Sequence, residues 1–373
     1  MKLPSITEAK DLKGRRVLLR LDLNLPIGNG KVVSGLRINK SLKTLNYLRE
    51  AGAKIIILAH IESPETDSLR VVFEYLKNSI PMLFADTIEE AKEKIAVLLP
   101  GEILLIENLR LLSSGEKSND EDFSRALASL GDVYVNDAFS VSHRNHASIV
   151  GVPKFLPHYA GFQLEAECQE LSKAFNPEHP ALFFLGGNKF ETKLPLVKKF
   201  IEKMDVLFIG GALSNDIFKA QGLEVGVSDI SDTPPDLKEI MGSLKLSIPS
   251  DVVVNIPGTS SKNPSEVIVT DKIMDSGTDT IEKLKQSLVG AKFVLWNGPL
   301  GEYEKGFEEG TVGLANAIIE SGAQAIVGGG NTVLVLEKAN LLDKFHFVST
   351  GGGAMLDFLA NETLPGIEAL LRK

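Results

Sequence analysis

Short apolar runs recur along this chain, with longer amphipathic stretches between them. In the first half they are Val17-Leu18-Leu19-Arg20-Leu21, Lys54-Ile55-Ile56-Ile57-Leu58-Ala59, Glu102-Ile103-Leu104-Leu105-Ile106 and Asp132-Val133-Tyr134-Val135. The second half adds runs over 181–185, 206–209, 251–254, 292–296, 325–327 and 345–348. Near-continuous apolar runs suit parallel strands buried on both faces. Amphipathic stretches such as 39–50 and 311–321 read as the helices between them. The alternation predicts α/β architecture, with doubly wound parallel sheets and right-handed crossovers. Prolines at 153, 157, 177 and 180 bracket a helix-like segment, 162–175, between the two sets of runs. An N-terminal α/β domain, a connecting helix and a C-terminal α/β domain follow.

The length of 373 residues agrees with two domains. A content of 43% hydrophobic and 24% charged residues excludes disordered, collagenous and disulfide-scaffold classes. No apolar run reaches the roughly 20 residues that span a bilayer, and the N-terminus lacks a signal-peptide stretch. With a single cysteine, Cys168, these features point to a cytoplasmic protein. Cys168 reads as a packing residue. A net charge of −9 argues against a nucleic-acid or anionic-membrane surface, which needs a basic stripe. A small anion needs only a few convergent cations.

Ligands of open α/β sheets bind beyond the carboxyl ends of the strands, so the polar residues there are the candidates. In the first half they are Asp22 and Asn24, His60, Asn108 and Arg110, Asn136 and Asp137, then Arg144. Arg37, Arg110 and Arg144 accompany this rim, and an arginine fork suits carboxylate or phosphate. His143 and His146 lack the further ligands of a metal site. In the second half the same positions carry glycines: Gly186-Gly187, Gly210-Gly211, Gly298 with Gly301, Gly328-Gly329-Gly330 and Gly351-Gly352-Gly353. Glycine lets backbone approach a ligand closely, and a helix starting there aims N–H groups at an anion. The clusters together suggest a nucleotide. Neither a P-loop nor an opening G-x-G-x-x-G is present, which disfavours P-loop NTPases and dinucleotide dehydrogenases. Lys189 and Lys193 are four apart, the spacing of one helical face, although Pro195 predicts that regular helix starts only near Thr192.

Taken together, the segments resemble phosphoglycerate kinase along essentially the whole chain. Arg20-Leu21-Asp22-Leu23-Asn24-Leu25-Pro26 is similar to the family's RVDFNVP, and Glu107-Asn108-Leu109-Arg110 to its ENLR. The stretch 132–139 followed by 143–148 is close to DVYVNDAF…HRAHAS. Gly186-Gly187-Asn188-Lys189 resembles GGAK, 296–301 resembles WNGPMG, 349–354 matches STGGGA, and 364–366 matches LPG. The resemblance implies a bilobed monomer that transfers phosphate reversibly between 1,3-bisphosphoglycerate and Mg-ADP, giving 3-phosphoglycerate and ATP. It implies a 3-phosphoglycerate-binding domain over 1–160 with 360–373, a hinge helix over 161–175 and a nucleotide-binding domain over 176–359. By position, Asp22, Asn24, Arg37, His60, Ser63, Arg110 and Arg144 would hold the glycerate substrate. Gly186, Gly187, Lys193, Gly210, Asn297, Pro299, Glu304, Gly329, Gly330, Asn331 and Thr332 would hold the nucleotide, with Glu304 on the ribose. Phosphoryl transfer needs alignment and surrounding cations rather than a base, which falls to Arg37, Lys189 and Lys193. The N–H groups of Gly351, Gly352 and Gly353 add fixed donors.

Four departures fall on functional positions. Where the family reads SHLGRP, this chain has Ala59-His60-Ile61-Glu62-Ser63-Pro64, so Ser63 replaces an arginine. Glu62 adds a negative charge that repels an anion unless it turns outward, and Arg70 is a candidate to cover the gap. Asn331 stands where the family has the aspartate associated with the magnesium nucleotide. It leaves at most an uncharged ligand for the ion, and Asp216 is a candidate replacement carboxylate. Val227 replaces a common lysine. These changes carry a second expectation, a catalytically impaired relative that binds nucleotide or phosphometabolites in a regulatory or interaction role.

Overall fold

The computed structural model describes residues 2–188, 190–255 and 261–372, with the side chains of 191 and 192 left aside. The chain divides into two compact units, 1–169 with 361–373, and 170–360. The division falls inside the helix Phe162–Ser172.

The first unit is built on six parallel strands: β1 Arg16–Arg20, β2 Lys54–Leu58, β3 Leu83–Ala85, β4 Ile103–Ile106, β5 Val133–Asn136 and β6 His158–Ala160. Their order across the sheet is β3-β4-β2-β1-β5-β6. Register puts Leu19 beside Ile57 and Val135, and Ile57 beside Leu105. These side chains form one layer of the core, packed with Ile38, Leu45 and Leu48 of the helix Leu36–Glu50. Leu18, Ile56, Leu104 and Tyr134 point the other way and are equally buried. Both faces are therefore covered, as the uninterrupted apolar runs require. The terminal helix Pro365–Leu371 packs on this unit, with Ala369 against Ala138, Val141, Ile149 and Val150.

The second unit repeats the plan with β7 Ala181–Leu185, β8 Val206–Ile209, β9 Leu246–Ser247, β10 Phe293–Asn297, β11 Gln324–Gly328 and β12 Phe347–Val348. Their order is β9-β8-β7-β10-β11-β12. In each unit the direction of strand succession reverses once, at β1/β5 and at β7/β10. Such a switch opens a crevice beyond the carboxyl ends of the strands.

Three expectations need correction. The run 251–254 is not a strand of the parallel sheet. Val252–Val254 pairs antiparallel with Ile273–Ser276 in a separate ribbon. Four residues separate it from β9, too few for the crossover that a parallel neighbour demands. The helix placed near Thr192 begins at Phe190 and carries Pro195 within it. Finally, β3, β6 and β9 have no counterpart among the predicted runs; each has three residues or fewer and lies at or next to a sheet edge.

Candidate active site

In the first unit the candidate residues stand on loops around the switch. Asp22 and Asn24 follow β1, His60 follows β2, Arg110 follows β4 and Arg144 follows β5. Arg37 comes from the first turn of Leu36–Glu50. Its Nη1 donates to Asn24 O at 2.8 Å and lies 3.1 Å from Asp22 Oδ2. Asp22 also accepts from Asn24 N at 3.1 Å and from Ser140 Oγ at 2.5 Å. Its carboxylate therefore aims Arg37 rather than standing free for a ligand.

His60 is buried, with Nδ1 3.2 Å from Arg20 Nη2. Arginine only donates, so Nδ1 accepts and the ring proton sits on Nε2. Burial, then the charges of Arg20, Arg110 and Arg144, push the imidazole far below its ordinary value, so it is neutral. Arg20 is itself fixed by Ser148 Oγ at 2.9 Å and Leu21 O at 2.5 Å. Ser148 in turn donates to the buried Glu116 at 2.6 Å. His146 lies 3.7 Å from Glu116, and burial followed by Arg110 and Arg144 lowers it to about 4. Arg20, Glu116 and Ser148 form a buried network that holds His60, and their residue types alone do not predict it. The available signal was a charged residue, Arg20, closing the apolar run Val17-Leu18-Leu19.

Arg110 is almost wholly buried, yet Nε and Nη2 have no hydrogen-bond partner. Its Nη1 pairs with Glu62. Glu62 has therefore not turned away from the site. Burial and then the charge of Arg110 lower the Arg144 pKa from its ordinary value, and no side-chain hydrogen bond of Arg144 is found among the described residues. Ser63 Oγ accepts from Glu65 N at 3.2 Å, inside its own turn. Arg70 does not cover the missing arginine, since Asp86 pairs with it and the Phe84 ring stacks under it. Asn108 and Asp137, on the same rim, are framework residues. Asn108 Nδ2 donates to Ile61 O at 2.8 Å and Asp67 O at 2.6 Å. Asp137 Oδ1 accepts from Gln163 N and Leu164 N at the start of Phe162–Ser172.

In the second unit a cleft of about 350 Å³ opens beside the switch, lined among others by Gly187, Gly211, Pro299, Glu304, Lys305 and Asn331. Gly211 has φ +61°, and a Cβ there would lie 2.8 Å from Gly187 N. Gly298, with φ +98°, would drive a Cβ to 2.2 Å from Gly186 O. These two positions need glycine. Lys193 lies on Phe190–Phe200, with Nζ donating to Gly186 O at 2.5 Å, and burial lowers its pKa to about 8. Lys189 lies outside the described residues. Gly210, Asn297 and Thr332 are buried beneath the cleft rather than lining it; Thr332 Oγ1 accepts from Gly298 N at 3.0 Å. Gly329 caps the helix Gly330–Lys338, and Gly353 opens Gly353–Asn361 behind Gly351 and Gly352. Asp216 is no substitute metal ligand, because Ser231 N and Oγ occupy both its oxygens at 3.0 and 2.8 Å. Val227 is exposed, and nothing in the structure gives it a role.

Two anion-suited crevices on two such sheets match one known pattern. The family model described as phosphoglycerate kinase matches residues 6–362. The chain belongs to the phosphoglycerate kinase family. It is 40% identical to the phosphoglycerate kinase of Thermus thermophilus, over 96% of this chain and 98% of that one. Identity to the Maricaulis maris enzyme is 38%, over 97% and 96%. Among solved structures, phosphoglycerate kinase from Pyrococcus horikoshii superposes with a TM-score of 0.87 at 30% identity, covering 99% of this chain and 98% of that one. The Coxiella burnetii structure gives 0.82 at 33% identity, covering 99% of each chain. As a phosphoglycerate kinase, the chain is a phosphotransferase whose acceptor is a carboxyl group. Its substrates are the 3-phosphoglycerate and ATP/ADP couples of glycolysis. Among the described residues no helix is long and apolar enough to cross a membrane.

Proposed function

We propose that the unit of 1–169 and 361–373 binds the phosphorylated acid at Arg37, His60, Arg110 and Arg144. Unit 170–360 then takes ADP or ATP in the glycine-lined cleft. The observation that carries the first half is Arg110, whose Nε and Nη2 are buried without partners. A buried guanidinium keeps unsatisfied donors only at a cost, which an anion relieves. Arg144 adds a second free fork, and neutral His60 adds an Nε2–H. Arg37, Lys189 and Lys193 are the cations assigned to offset the charge that develops on the transferring phosphoryl group. The acceptor is already a carboxylate, so no base is required. The segment 161–175 serves as the hinge, and the enzyme acts as a cytoplasmic monomer.

Magnesium enters with the nucleotide. Among the described residues no group of three His, Cys, Asp or Glu could hold a metal ion. Asn331, exposed in the first turn of Gly330–Lys338, offers the ion one carbonyl oxygen. That fits a cation which keeps several waters and takes its other ligands from phosphates. The ion supplies charge neutralisation at the phosphates. Asparagine in place of a carboxylate weakens its hold, so Asn331→Asp lowers the magnesium concentration for half-maximal rate. Nothing observed favours the binding-only alternative.

A coupled assay with 3-phosphoglycerate and ATP tests the reading. Lys193→Ala lowers kcat by about 100-fold or more. Arg110→Ala raises KM for 3-phosphoglycerate and leaves KM for ATP unchanged. A Lys193→Ala rate equal to that of the unaltered chain rejects the assignment.

A further inference from the structure

We infer that Glu62 is a resident counter-ion of the acid site: its carboxylate pairs with Arg110 and must be displaced by the incoming anion. Glu62 is thus a positioning residue that sets affinity for the acid through Arg110. The inference rests on the placement of the acid site proposed above.

The geometry of the pair carries the argument. Arg110 has 8% of its side chain exposed, whereas Glu62 has 61%. The fixed member is the cation and the mobile one the carboxylate. Beyond that ion pair, Glu62 is anchored through its backbone, where N donates to Asn24 Oδ1 at 2.9 Å. Its side chain meets Nη1 alone, which leaves Nε and Nη2 of the same fork unmatched. A doubly charged phosphate spanning that fork gains contacts a single edge-on carboxylate cannot make. The wider charge inventory agrees. Asp22 neutralises Arg37, Glu62 neutralises Arg110, and Glu116 balances the buried Arg20 through Ser148. Among the described residues Arg144 has no carboxylate in ion-pair contact, and Glu62 and Asp22 act on it only from longer range. An acid of about three negative charges meets a site with one net positive charge until Glu62 leaves. Lys117 and Arg144 are the other cations that act on Glu62, and Lys117 is exposed. Lys117 offers the departing carboxylate a place to go. The displacement costs affinity for any anion and costs least for one that can take both edges of the fork.

Initial rates with 3-phosphoglycerate varied, on Glu62→Gln, Arg110→Ala and the double variant, provide the test. Glu62→Gln keeps the side chain's length and removes its charge. The expected result is a KM for 3-phosphoglycerate lowered about fivefold, with kcat and KM for ATP unchanged. Glu62→Asp, which keeps the charge, retains a KM above that of Glu62→Gln. In the Arg110→Ala background, Glu62→Gln lowers KM by less than it does in the unaltered chain. Calorimetric titration of each purified variant with 3-phosphoglycerate shows the same order of affinities. An unchanged or raised KM in Glu62→Gln, with Arg110→Ala still impaired, overturns the counter-ion alone. An Arg110→Ala enzyme that binds the acid normally overturns the site assignment and the counter-ion with it.

Discussion

Burial decides the protonation of the groups that matter at the residue scale. Burial alone lowers the Lys193 pKa to about 8, so the ammonium is partly neutral near that pH although Gly186 O accepts from it. A bound phosphate chain restores the charged form, so nucleotide binding draws a proton from solvent wherever free Lys193 is partly neutral. At pH 8, ADP binding takes up about half a proton more in the unaltered chain than in Lys193→Ala. At pH 6 the two are alike, since the ammonium is already charged. Calorimetry in buffers of different ionisation enthalpy reads that difference, and equal uptake at pH 8 removes Lys193 from the phosphate site. Burial also lowers His60, whose neutral form persists across the working range, so the proposed donation from its Nε2–H does not vary with pH.

Loops that look like site residues in sequence are, at the element scale, partly scaffolding. The segment 107–110 illustrates it. Glu107 accepts from Leu69 N at 2.7 Å and Ser68 Oγ at 2.5 Å, and Asn108 ties down Ile61 O and Asp67 O while accepting from Arg110 N at 3.1 Å. One motif thus pins the loop after β2 and presents Arg110. Asn108→Ala strands two carbonyls and a helix-start N–H, at a cost of about 2 kcal/mol of stability. Urea unfolding measures that loss. KM for 3-phosphoglycerate rises with it while KM for ATP holds, because the affected loop carries His60, Glu62 and Ser63. Stability loss with an unchanged KM would make the segment a scaffold only. At the cleft of the second unit, Thr332 and Trp296 do comparable work: Trp296 Nε1 donates to Gly298 O at 2.9 Å, holding the turn whose glycine approaches Gly186.

Across the whole molecule, each unit has its own sheet and core, and the proposed function gives each its own ligand class. The single tryptophan, Trp296, is buried within β10 and reports on unit 170–360. Saturating ADP, at about 100 times its Kd, moves the tryptophan-detected unfolding transition by about 2.7 kcal/mol. Saturating 3-phosphoglycerate moves that transition less, and shifts the part of the far-ultraviolet signal that belongs to the other unit. An acid that protects Trp296 as strongly as ADP contradicts the division of labour between the units.

The apolar runs by themselves determined two parallel sheets, because a strand buried on both faces leaves no polar alternation to misread. The strand-end positions of Asp22, His60, Arg110 and Arg144 were legible for the same reason, since chain order places them after identified strands. The short strands β3, β6 and β9 were not legible; two or three residues carry no periodicity, and their pairing is set by neighbours distant in sequence. Nor could the chain order show that the run 251–254 leaves the sheet, which follows from the short connection after β9. Tertiary structure alone decided which charges cancel. It brought Glu62 onto Arg110 across 48 positions, tied Asp22 to Arg37, took Arg70 to Asp86 and filled Asp216 with Ser231. Ion pairing depends on a few ångströms of separation and on burial, neither of which is written in residue order.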